Sequence, residues 1–191
     1  MQTLTPAEAA GRIEAAFRLF LTFDTKQLPR FGDDISDVWK SFWAPVFVLP
    51  LHLWITLARD VGTPADAAPF LYRLVTELST YAIDVVYWPL AMVMFADLLQ
   101  RPEGYARYVS AYNWVAVPVS VIATGIVVTM GADGGTLGLP GVALLFWMLL
   151  FRIKLARKVF DCNIGIAVAL TAGDFFLGQF VIAMRAGVLA G

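Results

Sequence analysis

The chain has 191 residues, of which 59% are hydrophobic and 15% charged, with a formal net charge of −1. Soluble domains run near ~45–50% apolar and ~25% charged, and one of this size still exposes about a third of its surface, so a single soluble core is excluded. The near-neutral balance, with no long block of one sign, gives no reason to expect a nucleic-acid partner.

A multi-spanning membrane protein accommodates the excess, and the chain reads as one in order. Thr5 can cap a helix, Pro6 suits its first turn, and Glu8 completes a capping box. Ile13, Phe17, Phe20 and Leu21 then recur at helical spacing, and Glu14 and Arg18 can pair across one turn. An amphipathic helix over residues 6–23 follows. Two placements fit it equally: flat on the membrane surface, or packed on the ends of the chain's own helices. Residues 24–37 carry Asp24, Lys26, Arg30, Asp33, Asp34 and Asp37, punctuated by Pro29 and Gly32, and read as a connection. No cleavable signal precedes the first long apolar run, so that run is expected to direct insertion.

Five spans are expected. The first is Ser41 to Ala58, with Pro50 set to kink it. The second, Leu71 to Leu99, would be about 43 Å long as a helix, against ~30 Å for a bilayer's hydrocarbon core. Tyr108 to Met130 forms the third, and Gly131 to Gly135 a tight loop after it. Thr136 to Phe151 is a short fourth span that borrows length by snorkelling, and Cys162 to Met184 is the fifth. The fold class is therefore all-α: a polytopic bundle of about five transmembrane helices with an N-terminal amphipathic interfacial helix. Residues 1–40 make a cytoplasmic segment, 41–187 the transmembrane domain and 188–191 a short tail. Placing the N-terminus inside puts eleven of the fourteen basic residues on the cytoplasmic side, the distribution of a bacterial cytoplasmic membrane protein with its C-terminus outside.

Charges inside lipid are costly and mark candidate sites. Arg73, Glu77, Tyr81, Asp84 and Trp88 share one face of the second span, and His52 in the first lies at a depth similar to Asp84. Asp174 sits mid-way along the fifth span, with Gln179 further out. His52, Glu77, Asp84, Asp174 and Gln179 are thus a candidate intramembrane polar site. Purely structural contacts between helices are the competing explanation. Arg152, Lys154, Arg157 and Lys158 form a basic run suited to anionic headgroups, and Arg157 and Lys158 can also pair with Asp161. Trp39, Phe42, Trp43, Tyr105, Tyr108, Tyr112 and Trp114 fall near helix starts as an interfacial belt, with Asn113 the polar exception. One His and one Cys on different helices make no metal site, and no phosphate loop, nucleophile elbow or paired His–Glu motif is present. No cofactor and no enzymatic activity are expected.

Three motifs, RLFL (Arg18 to Leu21), WKSFWAP (Trp39 to Pro45) and YARYVSAYNW (Tyr105 to Trp114), together with five spans, resemble small bacterial membrane proteins related to the Yip family. Eukaryotic relatives act in vesicle trafficking with small GTPase partners and membrane-shaping proteins; their long hydrophilic N-terminal region is lacking here, so the resemblance does not carry those partners over. The resemblance implies a non-enzymatic membrane-organising scaffold or accessory subunit and supplies no catalytic residues. The rival expectation is a small carrier, or carrier subunit, coupled to protons or cations at Asp84, Asp174 and His52. Expected partners are the bilayer, anionic lipids, and a membrane protein or second copy, the last by way of the small-residue face Gly165, Ala169 and Gly173.

Overall fold

The computed structural model describes residues 4–62, 67–131 and 138–190. Among these the chain is helical without a strand: α1 (Pro6–Thr22), a 3₁₀ helix (Thr25–Phe31), α2 (Ile35–Ser41), α3 (Trp43–Asp60), α4 (Phe70–Leu98), α5 (Gly104–Met130), α6 (Leu139–Phe160) and α7 (Ile164–Ala190). Five stretches are long and apolar enough to cross a membrane: Ile35–Asp60, Phe70–Leu98, Gly104–Met130, Leu139–Phe160 and Ile164–Leu189. The chain is an all-α polytopic bundle. Beyond Gly131, the loop expected at Gly131 to Gly135 lies outside the described residues.

Helix α5 is the axis of the assembly, touched by α1, α2, α3, α4 and α6, while α7 packs on α4 and α6. Its first half is the densest part of the molecule. Tyr108, Val109, Ala111 and Trp114 are buried there with Trp88, Met92, Leu155 and Phe160. Tyr108, Tyr112 and Trp114 are therefore not part of an interfacial belt. Helices pack on more than one side of α5, so Tyr112 reaches Asp174 while Trp114 on another face meets Phe47 of α3, whereas Trp39 and Trp43 do stay exposed.

The amphipathic helix takes the second of its two placements. Its buried face is Arg12, Ala15, Ala16, Leu19 and Phe20. Two alanines at the contact let the α1 and α5 backbones approach closely, and Leu21, with no partner in the core, is left exposed. The helix ends at Phe23, in the left-handed region at φ 54°, with its ring 4.6 Å from that of Trp147. Trp147 also donates its indole N–H to the Phe20 carbonyl at 2.9 Å, so α1 is fastened to α6 as well.

Residues 24–37 are more than a connection. Leu28 and Phe31 are core residues, and the segment folds as the 3₁₀ helix and the first turn of α2. Gly32 is required between them. It sits at φ +77°, and a Cβ there would collide with the Asp37 carboxylate that holds Arg12. Arg107 reaches across to Asp33 at 2.6 Å and ties the segment to α5. Two expected span limits also move. The fourth span is no short helix, since α6 runs 22 residues through the whole basic sequence to Phe160. The expected C-terminal tail is likewise helical as far as Ala190.

Glu8 joins α1 to α2. It accepts from the Thr5 N–H at 2.9 Å and from the Lys40 ammonium at 3.0 Å. Those two donors hold its carboxyl at about 2, below the ordinary 4.5. A depressed carboxyl contributes stability above its unfolded value and loses it as pH falls through the folded one. Amide exchange along α1 is therefore expected to accelerate as pH drops from about 4.5 toward about 2, beyond the intrinsic pH dependence of exchange. Glu8→Gln should abolish that extra acceleration; an identical profile in the variant would rule Glu8 out as the titrating group.

Candidate functional site

The dense core gives way half-way along α5 to a cavity of about 180 Å³. His52 comes from α3, Tyr81 and Asp84 from α4, Tyr112, Asn113 and Ser120 from α5, and Arg152 from α6. Phe20 of α1 closes part of the same wall, beside Phe151. The position follows from the packing. Helix α3 lies closely against α5, whereas its junction with α4 is made chiefly by side chains, so space remains between α3, α4 and α5. Tyr81 spans that junction by donating to the Pro45 carbonyl at 2.7 Å, with its ring centroid 4.5 Å from that of His52. Pro89 lacks the N–H that would bond the carbonyl of Val85, itself a lining residue, so a backbone acceptor is released next to the cavity.

Two buried ionic clusters flank the cavity. In the first, Asp174 of α7 is 1% exposed and ion-paired with Arg152. Its carboxylate also accepts the hydroxyls of Tyr87 at 3.0 Å and Tyr112 at 3.1 Å. Arg152 donates to the Tyr112 oxygen at 3.1 Å and lies 5.1 Å from the centroid of that ring. Charge and hydrogen bonds are matched here, which is what a buried pair needs. The second cluster lies toward the end of the bundle where α7 finishes. Arg185 is ion-paired with Glu77 and reaches Asp60 at 2.6 Å, while Arg73 lies 3.7 Å from Asp60. His52 Nε2 is 3.8 Å from the second oxygen of Glu77, so the imidazole bridges the cavity and this cluster.

Asp84 differs from the other three acids. Asp60, Glu77 and Asp174 are each paired with arginine, whereas Asp84 lines the cavity exposed, with no hydrogen-bond or ion-pair partner among the described residues.

The expected polar set thus divides. His52 and Asp84 meet on one cavity, Glu77 touches it through His52, and Asp174 stands behind Arg152 and Tyr112. Gln179 is exposed on α7 and does not line the cavity. Arg152 leaves the basic run altogether, because it is an internal counter-ion rather than a headgroup contact. Lys154, Arg157 and Lys158 remain exposed, the first 4.8 Å from the Phe23 ring centroid. Asp161 pairs with Arg101 at 3.7 Å instead of with Arg157 or Lys158. Sequence reasoning missed Arg185, Asp60 and Tyr87, and gave Arg152 and Tyr112 other roles. Arg152 and Arg185 could have been found by asking which cations fall inside apolar runs at the depth of an acid. Asn113 proves structural: it donates to the Ser41 hydroxyl at 2.9 Å and braces the break between α2 and α3. Set against known proteins, the chain matches no family, no curated protein and no solved structure.

Proposed function

We propose that the chain is a small membrane carrier, or the solute-binding subunit of one, taking a proton or small cation at Asp84 with His52 beside it. The observation that carries this reading is the Asp84 carboxylate, unpaired among the described residues, on a cavity whose neighbouring buried acids Asp60, Glu77 and Asp174 are each paired with arginine. A lone carboxylate in a membrane bundle is expensive and contributes nothing to packing, so binding accounts for it better than structure does. Pro89, inside the unbroken α4, frees a backbone carbonyl beside the cavity, a polar group that a mid-membrane site can use. Closures stand at both ends of the cavity: α1 with Phe20 at one, and the cluster of Arg185 with Glu77 and Asp60 at the other.

The membrane is read as the bacterial cytoplasmic one, with the N-terminus inside. Ten basic residues gather at the end that carries α1, the α4–α5 connection and the α6–α7 connection. At the opposite end, Arg73 and Arg185 are consumed by the acidic cluster and Arg59 alone is left, which supports this orientation under the positive-inside rule. The scaffold role expected from the Yip-like motifs takes second place, since it assigns no task to Asp84.

Currents in proteoliposomes on a supported membrane test the reading. A jump in pH, or in the concentration of sodium, potassium, ammonium or tetramethylammonium, is expected to evoke a current that Asp84→Asn reduces at least tenfold. If no jump evokes more than empty liposomes do, or if Asp84→Asn matches the parent, the carrier reading falls and the scaffold takes its place.

A further inference from the structure

Resting on the carrier reading, we infer that the solute at Asp84 is a small organic cation, an alkylammonium, rather than a metal ion or an anion. Charge selects the sign. Arg152 is neutralised by Asp174, and Arg185 and Arg73 face Glu77 and Asp60, so Asp84 supplies the surplus charge of the cavity. An anion would meet that carboxylate in a medium where like charges are poorly screened.

The lining selects an organic body. Hard inorganic cations ask for about six oxygen ligands. Around Asp84 the oxygens on offer are the Ser120 hydroxyl, the Asn113 amide and the Val85 carbonyl, since the Tyr81 and Tyr112 hydroxyls are already engaged, and much of the remaining wall is apolar side chain: Val48, Val85, Val119 and Met148. Such a wall suits alkyl groups, whose burial is favourable, and a cation whose hydration is weak. Size sets the upper limit. Cavities of ~150 Å³ in other proteins accept a benzene ring, and this one measures about 180 Å³. That space takes an ammonium carrying a few carbons and is too small to enclose a nucleotide, a peptide or a lipid. The faces of Tyr81 and Tyr112 are already engaged by His52 and Arg152, so the carboxylate, not an aromatic cage, holds the head group.

Equilibrium dialysis of the full chain in nanodiscs against labelled tetramethylammonium decides the matter. Tert-butanol, pivalate, sodium and potassium serve as competitors of matched shape or charge. Saturable binding is expected, weakened at least tenfold by Asp84→Asn and by Ala116→Leu, which fills the cavity wall, and competed by ethylammonium but by none of the four. Pivalate or sodium competing as well as ethylammonium would overturn the inference, as would full binding by Asp84→Asn. Should Asp84→Asn fail to fold, the competition series on the parent chain and Ala116→Leu decide alone. Tetramethylammonium binding without any current would sink the carrier reading and leave the ligand class standing. An Asp84-dependent current evoked by protons or sodium, with no tetramethylammonium binding, would overturn the ligand class and leave the carrier.

Discussion

Replacing Arg152 by methionine is expected to destabilise the folded chain by about 3–5 kcal/mol, among the largest effects of any single substitution in it. The reason lies in what stays behind. Asp174 is 1% exposed, and without the guanidinium its carboxylate keeps only the Tyr87 and Tyr112 hydroxyls. Two neutral donors do not replace a counter-ion in an apolar bundle. Replacing both partners, Arg152→Met with Asp174→Leu, removes the stranded charge and should recover most of the loss. Arg152→Lys should recover only part, because an ammonium cannot reach the carboxylate and the Tyr112 oxygen with the same fork. Unfolding in detergent, followed by tryptophan fluorescence, gives the comparison. A cost under ~1 kcal/mol for the single substitution would mean that water or lipid reaches Asp174 and that the pair does not hold α6 to α7.

Periodicity and composition carried the helices, and what they lacked was the third dimension. The apolar runs set α3, α4 and α5 to within a few residues, because a bilayer demands uninterrupted apolar length and that demand is written locally. The face joining Arg73, Glu77, Tyr81, Asp84 and Trp88 was legible too, and Arg73, Glu77 and Trp88 on it are buried. Partner choice was not. That Asp174 would take Arg152, and so withdraw it from the lipid-facing basic run, depends on α6 lying beside α7, which no single-helix pattern encodes. The same gap hid the inward turn of Tyr108 and Trp114. Interfacial aromatics and core aromatics share a composition, and only the helix packed against them tells them apart. Two of the motifs behind the Yip resemblance do touch, Asn113 of one donating to Ser41 of the other, so those residues brace the fold whatever the family.

Arg185→Ala is expected to open the cavity from the end where α7 finishes. Among the described residues Arg185 binds both Glu77 of α4 and Asp60 of α3, and it does so from α7, so its guanidinium is a clasp for three helices. Removing it leaves Glu77, 1% exposed, with His52 at 3.8 Å as its remaining partner among the described residues, while Asp60 keeps Arg73 at 3.7 Å. The stranded Glu77 is expected to cost about 3–5 kcal/mol if the helices stay put. Parting α3 from α7 instead lets water reach the carboxylate and relieves part of that penalty. Opening is thus the cheaper response, and it exposes the His52 side of the cavity. A cysteine placed at Ser120, in a background where Cys162 is serine, reports it. Labelling by a charged maleimide applied at that end should quicken at least tenfold in Arg185→Ala and change little in Arg12→Ala, whose partner Asp37 lies at the other end. Glu77→Gln with Arg185→Ala together should restore slow labelling, because the uncompensated charge that drives the opening is then gone. Equal labelling in all these variants would show that the Arg185 cluster fastens the helices without controlling access, and that the way into the cavity lies past Phe20 and α1.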